Sequence, residues 1–245
     1  MMSRQWVLVT GGSRGIGRAV VEELAQKWNV IFTWHSDAQR SDAVISSCKG
    51  SLGLVKGVRC DGTNTLEVST VAAELLACYG APFAIIHNAG ITQDHLHIKH
   101  TALSWQQVME TNLNAVFYWN HHLLPAMVES GEGAIVLMSS VSAIKGNIGQ
   151  SAYGASKAAM IGMSRSLALE LGRFGIRVNC LLPGLIESDM TRAMPVAELK
   201  ELRKKVPLRR LGKAQEVAQA VSFMIGDGSR YMTGQILVLD GGLTA

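Results

Sequence analysis

Short runs of aliphatic and β-branched residues recur along the whole chain, and in several of them apolar residues stand at successive positions rather than alternate ones. Continuous apolar runs of about four to eight residues are typical of parallel strands buried on both faces. The pattern predicts seven such strands. They cover residues 6–9, 30–33, 54–59, 83–87, 134–138, 177–182 and 236–239.

Between the predicted strands, apolar residues recur at helical spacing. The predicted helices cover residues 15–28, 41–48, 65–79, 103–129, 151–173 and 214–225, with a weaker amphipathic stretch at 196–206. Strand and helix alternate throughout, and the composition does not shift along the chain. This predicts an α/β fold, a doubly wound seven-stranded parallel sheet of the Rossmann type, in a single domain over residues 1–245.

Composition and charge narrow the class of protein. Charged residues make up 17% and hydrophobic residues 48%, as in an ordinary globular domain. The net charge of +4 does not indicate a nucleic-acid partner, but it is compatible with anionic small ligands. No run approaches the ~18 apolar residues of a membrane-spanning helix, and the first strand begins so near Met1 that we expect no signal peptide. We therefore expect a cytoplasmic protein that does not bind membranes.

The cysteines and histidines do not indicate a metal site. The four cysteines form no CxxC pair, and no cluster of cysteine and histidine has the spacing of a zinc site. His95, His97 and His100 stand close together after the fourth predicted strand, but a metal would need a further ligand. We interpret them as part of a polar surface loop and expect no metal.

A glycine-rich turn, Thr-Gly-Gly-Ser-Arg-Gly-Ile-Gly, follows the first predicted strand. Glycines let the backbone approach a phosphate closely, and the next helix offers free N–H groups and a partial positive charge. Such a turn can also be a purely structural connection, but its place at the start of an alternating α/β chain favours a dinucleotide site. The candidate cofactor-binding residues here are Gly11, Ser13, Arg14, Gly15, Ile16 and Gly17.

The residues after the second predicted strand indicate which dinucleotide binds. An acid at its end would hold the ribose 2′-hydroxyl of NAD(H), but the strand ends at Thr33 and no carboxylate follows before Asp37. Arg14 in the glycine-rich turn can instead meet a 2′-phosphate, and His35 and Ser36 can add donors. The sequence therefore favours NADP(H), although Arg14 alone would be an ordinary surface arginine.

Three segments carry the candidate catalytic residues. Ser140 closes the fifth predicted strand, Tyr153 follows 13 residues later, and Lys157 lies one helical turn beyond it on the same helix face. A tyrosine can protonate a carbonyl oxygen, a nearby ammonium should lower its pKa, and a serine hydroxyl can orient the oxygen. Asn112 could hold a water that links Lys157 to solvent. A tyrosine and a lysine at this spacing mean little alone, but together with Ser140 and the glycine-rich turn they indicate a catalytic site.

These features together resemble the short-chain dehydrogenase/reductase family over essentially the full length of the chain. The shared motifs are the turn at 10–17, His-Asn-Ala-Gly at 87–90, Thr-Asn at 111–112, Ser140, Tyr-Gly-Ala-Ser-Lys at 153–157, Val-Asn at 178–179 and Pro-Gly at 183–184. The resemblance implies that Asn112, Ser140, Tyr153 and Lys157 form a catalytic tetrad. Tyr153 and Lys157 would also contact the cofactor.

The resemblance also implies contacts along the cofactor. Asn88, Ala89 and Gly90 would line its adenosine side, and Asp61 with Gly62 would lie at the adenine. Pro183, Gly184 and Ile186 would contact the nicotinamide.

Within the family, the chain most resembles bacterial 3-oxoacyl-[acyl-carrier-protein] reductases, through motifs that include Asn-Ala-Gly-Ile-Thr at 88–92 and Gly-Asn-Ile-Gly-Gln at 146–150. This implies NADPH-dependent reduction of a 3-oxoacyl thioester on an acyl carrier protein, by a homotetramer. An acetoacetyl-CoA reductase, an oxidoreductase for another short-chain ketone or alcohol, and a non-catalytic nucleotide-binding scaffold remain as alternatives.

Some segments depart from the family pattern. Where relatives carry basic residues for docking a carrier protein, this chain has Glu-Ser-Gly-Glu-Gly at 129–133. This difference is compatible with a dedicated fatty-acid, polyketide or polyene pathway. Residues 200–213 contain seven basic side chains and one acid, which suit either a solvated helix face or contact with an acidic partner. By resemblance, residues 187–212 form a mobile substrate lid.

Overall fold

A computed structural model gives the structure of the chain and describes residues 5–188, 191 and 194–245. Its strands are β1 (Trp6–Val9), β2 (Asn29–Trp34), β3 (Val55–Arg59), β4 (Ala84–His87), β5 (Gly133–Met138), β6 (Ile176–Pro183) and β7 (Ile236–Leu239). Within the described residues these seven strands form one parallel sheet in the order β3-β2-β1-β4-β5-β6-β7. The predicted seven-stranded parallel sheet is confirmed.

Helices cover both faces of the sheet. They are α1 (Gly15–Leu24), α2 (Ala38–Ser47), α3 (Thr65–Tyr79), α4 (Ala102–Met109), α5 (Ala115–Ser130), α6 (Ser142–Lys145), α7 (Ser151–Leu171), α8 (Val196–Lys204) and α9 (Ala214–Ile225). One apolar core joins the sheet to α3, α5 and α7, and the other joins it to α1, α2 and α9. Because both faces of the central strands are buried, those strands have nearly continuous apolar sequences. The structure is the expected single α/β domain.

The strand order reverses between β1 and β4. Val7 of β1 pairs with Val30 of β2 on one side and with Ala84 of β4 on the other, all in parallel. In an open α/β sheet, ligands bind outside the carboxyl ends of the strands at such a reversal. The glycine-rich turn after β1 and residues 88–90 after β4 both lie there.

The predicted helix at 103–129 is interrupted. A π-helical turn at Glu110–Asn114 separates α4 from α5. Periodicity alone did not reveal this turn, because one wide turn barely shifts the apolar pattern. Helix α2 begins at Ala38 rather than at residue 41, because the Asp37 side chain accepts a hydrogen bond from the Arg40 N–H and caps the helix.

The two ends of the segment expected to form a lid are joined. Ile186 and Gly212 form a parallel bridge, the Glu187 N–H donates to the Gly212 carbonyl at 2.8 Å, and the Gly212 N–H donates to the Leu185 carbonyl at 2.9 Å. Residues 189, 190, 192 and 193 of this segment lie outside the described residues. Among the described residues, no helix has the length and apolar character needed to cross a membrane.

Candidate active site

The turn between β1 and α1 has the shape that a phosphate requires. Gly11 and Gly15 have φ angles of +67° and +56°, which residues with side chains rarely adopt. A Cβ on Gly11 would come within 3.0 Å of the Ala89 Cα, whereas Gly15 faces open space. No described side chain caps the N-terminus of α1, so its first N–H groups are available to an anion. The turn therefore fits the pyrophosphate of a dinucleotide.

Asn88 fastens this turn to the end of β4. Its Nδ2 donates to the carbonyls of Thr10 and Gly11, both at 3.1 Å, and its backbone N–H donates to the Thr10 hydroxyl at 3.1 Å. The Ala89 N–H donates to the same hydroxyl. The structure thus brings residues 88–90 against the turn. Of the other predicted turn residues, Gly17 is buried, Ser13 and Ile16 are half-buried, and Arg14 is exposed.

The segment after β2 lies beside the same turn. The Gly12 N–H donates to the Thr33 carbonyl at 2.9 Å, and the Gly11 N–H donates to the Thr33 hydroxyl at 3.2 Å. His35 and Ser36, which follow, are exposed near the turn. This position suits residues that contact the ribose of the adenosine half.

The carboxylates near this segment are engaged elsewhere. Asp37 Oδ1 accepts from the Arg40 N–H at 3.0 Å, and Asp37 Oδ2 lies 3.0 Å from Arg40 Nε. After β3, Asp61 Oδ1 accepts from the N–H and hydroxyl of Thr63 at 3.0 and 2.8 Å. Asp61 Oδ2 lies 3.8 Å from His35 Nε2, and Gly62 follows at the same edge.

Ser140 and Tyr153 meet at the end of β5. The backbone N–H of Ser142 donates to Ser140 Oγ at 3.1 Å and fixes the serine side chain. Ser140 in turn hydrogen-bonds the Tyr153 phenol, which α7 presents from its first turn. The two hydroxyls therefore converge on one position, where a carbonyl oxygen can be bound.

Lys157 lies one turn further along α7 and only 3% of it is exposed. Its Nζ donates to the Met138 carbonyl at 2.7 Å and lies 5.7 Å from the centre of the Tyr153 ring. The Ser139 hydroxyl donates to the Lys157 carbonyl at 2.7 Å, so α7 is fixed to the strand end on both sides of the site. Burial lowers the pKa of Lys157 to about 8.

The Tyr153 pKa differs from the sequence-based expectation. Burial raises it above its ordinary value, although the hydrogen bond with Ser140 lowers it, and the charge of Asp94 adds to the rise. The spacing of Tyr153 and Lys157 predicts that the lysine lowers this pKa. Its ammonium is directed at the Met138 carbonyl, and the loss of hydration around the phenol is the largest influence on the tyrosine pKa. Tyr153 is therefore protonated at neutral pH.

The π-helical turn directs Asn112 into the protein, where it is fully buried. Its Oδ1 accepts from the Ile91 N–H at 2.8 Å, and its Nδ2 donates to the Ile91 carbonyl and to Ser156 Oγ, both at 3.0 Å. A Cβ on Gly90 would lie 3.3 Å from both Asn112 Oδ1 and Lys157 Nζ. Asn112, Gly90 and Lys157 thus adjoin one another.

The predicted nicotinamide-side residues lie at the end of β6. The Pro183 carbonyl accepts from the Val141 N–H at 3.1 Å, directly after Ser140. The Gly184 N–H donates to the Leu239 carbonyl at 2.9 Å, and Ile186 forms the base of the lid segment. These residues therefore border the catalytic candidates.

The loop that carries His95, His97 and His100 lies against the start of α7. The His95 N–H donates to the Gly149 carbonyl at 2.9 Å, and His97 Nδ1 lies 3.0 Å from Ser151 Oγ, two residues before Tyr153. His100 Nδ1 lies 2.7 Å from Ser104 Oγ. Among the described residues, no group of three or more histidines, cysteines or acids is placed to hold a metal.

Sequence reasoning missed several supporting residues. The Thr10 hydroxyl binds the segment after β4, the Thr33 hydroxyl binds the glycine-rich turn, and Ser156 holds Asn112. Ser156 lies three residues after Tyr153, so helical spacing could have indicated its face. The hydroxyl contacts of the threonines depend on strand neighbours, which spacing does not reveal.

Comparisons with known proteins agree with this geometry. A family model described as enoyl-(acyl carrier protein) reductase matches residues 11–244. The chain is 40% identical over 237 residues to the 3-oxoacyl-[acyl-carrier-protein] reductase FabG of Escherichia coli K12, covering 96% of each protein. It is 36% identical over 236 residues to FabG of Thermotoga maritima, again covering 96% of each. The chain therefore belongs to the short-chain dehydrogenase/reductase family, and it is an oxidoreductase whose fold is built to hold a nicotinamide cofactor.

Proposed function

We propose that this protein reduces the 3-oxo group of an acyl thioester carried by an acyl carrier protein, with NADPH as the reductant. The observation that carries the proposal is the convergence of the Ser140 and Tyr153 hydroxyls beside the buried Lys157. The names of the curated relatives support the choice of substrate, since they are 3-oxoacyl-[acyl-carrier-protein] reductases.

The proposed chemistry follows from these three side chains. When bound, the nicotinamide supplies a hydride to the carbonyl carbon. Ser140 and Tyr153 hydrogen-bond the carbonyl oxygen and stabilise the charge that grows on it. The Tyr153 O–H bond then breaks, and its proton forms the new hydroxyl group. The Lys157 ammonium, with a pKa of about 8, is largely protonated at neutral pH and favours the phenolate that remains.

Burial keeps the proton on the phenol until the transfer takes place. A phenol with a raised pKa keeps its proton until a stronger base appears, and the developing alkoxide is such a base. Asn112 would fix the wall of the site, because its amide bonds both Ile91 and Ser156.

We propose NADPH rather than NADH because of the residues that lie near the carboxyl end of β2. Both oxygens of Asp37 bind α2, so this carboxylate is engaged away from a ribose 2′-hydroxyl. Arg14 is exposed on the turn, where a cation would attract a 2′-phosphate. Cofactor contacts by Ser13, His35, Ser36, Asp61, Gly62, Pro183, Gly184 and Ile186 remain part of this proposal.

Surface charge and apolar exposure support the proposed partners. The basic segment at 200–213 suits an acidic carrier protein, and residues 187–212 are proposed to close over the acyl chain. A homotetramer would cover the large apolar side chains Leu66, Phe117 and Leu169, which are 74%, 57% and 87% exposed. We place the reaction in the cytoplasm, where the four free thiols would stay reduced.

One assay separates the candidate reactions. The protein is supplied with NADPH and, in turn, a 3-oxoacyl carrier protein, the matching 3-oxoacyl-CoA, a free ketone and an enoyl carrier protein. The proposal predicts fastest turnover of the first. The family model's description makes the enoyl substrate a second candidate. Preferred turnover of the enoyl, CoA or free ketone substrate would replace the proposed substrate, and cofactor binding without any turnover would indicate a scaffold.

A further inference from the structure

Arg59, at the carboxyl end of β3, lies next to the segment that follows β2. It pairs in register with Trp34, the last residue of β2, and its Nε donates to the His35 carbonyl at 3.3 Å. This bond uses one of the five N–H donors of the guanidinium. The other four donors are on its two Nη atoms.

Arg59 and the glycine-rich turn lie on the same side of the sheet. Side chains alternate along a strand, so Arg59 shares a face with Gly57. A Cβ on Gly57 would meet the Phe32 ring at 2.9 Å, and Phe32 belongs to the core beneath α1 and α2. Arg59 therefore projects on the face from which α1 and Arg14 start.

Residues 34–36 thus lie between two arginines. On one side, Thr33 accepts hydrogen bonds from Gly11 and Gly12 of the turn that carries Arg14. On the other side, Arg59 bonds the His35 carbonyl. In doubly wound folds the end of β2 is where the adenosine ribose of a dinucleotide is recognised. A phosphate at the 2′ position would carry its charge into this space.

One nearby carboxylate, Asp61, offsets part of this positive charge, because the charge of Arg59 contributes to lowering the pKa of Asp61. Both oxygens of Asp37 bind Arg40, and Asp61 is bonded to Thr63 and faces His35. Arg59 forms no ion pair within the described part of the chain that would occupy its Nη atoms.

We propose that Arg59 is a specificity-determining residue that binds the 2′-phosphate of NADPH together with Arg14. This inference rests on the proposed use of NADPH and assigns part of that preference to a residue outside the glycine-rich turn. A planar guanidinium suits the oxygens of a phosphate, and its bond to the His35 carbonyl reduces the freedom that binding would cost.

The test measures binding of two adenosine fragments by calorimetry, independently of catalysis. The ligands are adenosine 2′,5′-bisphosphate and adenosine 5′-monophosphate, which differ only in the 2′-phosphate. Arg59→Gln should weaken binding of the bisphosphate about tenfold and change that of the monophosphate less than about twofold. Arg59→Lys should retain part of the preference, and thermal melting checks that each variant is folded.

Lys56→Gln is the matched control. Lys56 lies on the same strand but faces the other way, with its Nζ 5.8 Å from the Tyr79 ring, so neither ligand should be affected. If Arg59→Gln leaves the preference of the wild type intact, or weakens both ligands equally, the role of Arg59 is refuted while NADPH use stands. If the wild type binds both fragments equally, the NADPH proposal itself fails.

Discussion

The ammonium group of Lys157 donates a hydrogen bond to the backbone carbonyl of Met138, at 2.7 Å. This contact joins α7 to the carboxyl end of β5 and holds a buried charge beside Tyr153. Burial makes that charge unfavourable, which lowers the pKa of Lys157 to about 8. The protein thus retains a destabilising group at the site where we propose that it is needed.

Substitution of Lys157 by Met should therefore change stability in a pH-dependent way. The lysine pKa falls from 10.5 in the unfolded chain to about 8 on folding. Between these values the unfolded state binds more protons, so the free energy of unfolding of the wild type rises with pH. At pH 7, the cost of keeping the buried lysine charged lowers the free energy of unfolding of the wild type by about 3 kcal/mol.

We expect the stability advantage of Lys157→Met over the wild type to shrink by about 2 kcal/mol between pH 7 and pH 10. Urea unfolding of both proteins measures it, with the exposed Lys56→Met as control. Other titrating groups contribute equally to the stability of both proteins, so their contributions cancel in the difference. A difference that stays constant with pH would show that Lys157 is not buried as a charge.

Arg14→Ala should weaken NADPH binding about tenfold and NADH binding less than about twofold. The reason is that Arg14 is exposed on the turn beside the segment after β2, where it can meet only the cofactor that carries a 2′-phosphate. Arg18→Ala is the matched control, because Arg18 lies one helical turn away and is paired with Glu22 at 2.8 Å. Equal binding of both cofactors to the wild type would contradict the argument.

Charge reversal of Arg203 and Lys205 should raise KM for a carrier-bound substrate and leave turnover of a short free thioester nearly unchanged. Lys204 is paired with Glu201 at 2.6 Å, whereas Arg203 and Lys205 form no ion pair with a described carboxylate. The effect should diminish as salt rises, because exposed charges are screened beyond about 10 Å at ~0.1 M.

Reversal of Lys27 and Lys49, on the side of α1 and α2, provides the docking control and should leave both substrates unaffected. If the Arg203 and Lys205 variant loses activity toward both substrates equally, the segment is a structural part of the lid rather than a docking surface.

Phe117→Glu should break the proposed tetramer. Phe117 is 57% exposed on α5, near Leu66 and His121, and a charge there cannot be buried between two copies. Light scattering at micromolar concentration should show smaller species than for the wild type. Leu52→Glu, at an exposed leucine after α2, should leave the assembly intact. A monomeric wild type would refute the tetramer.

The sequence predicted the sheet well because its five central strands are buried on both faces and are rich in apolar residues. The bounds of β1, β7, α3 and α9 agree with the structure to the residue. Helix α6 was not predicted, since its four residues are too few for periodicity to show. The π-helical turn was missed for a related reason: it alters only one turn of a long apolar pattern.

The sequence indicated the candidate site as a set of residues but could not predict their contacts. Spacing placed Tyr153 and Lys157 on one helix face, and the structure has them so. It could not show that Lys157 bonds the Met138 carbonyl, because that contact depends on how α7 packs against β5. The sequence likewise did not indicate Arg59, because its neighbour His35 lies 24 residues away in the chain, directly after another strand.

The most direct test of the account is Tyr153→Phe, assayed with NADPH and a 3-oxoacyl carrier protein. The substitution removes one hydroxyl group from a buried ring and leaves the glycine-rich turn untouched. We predict that the wild type yields a product with two more hydrogen atoms, by mass spectrometry. The variant should still bind NADPH but lose at least the ~10²–10⁴-fold in rate that general acid catalysis contributes. Turnover by the variant near the wild-type rate would contradict the assignment of Tyr153 as the proton donor.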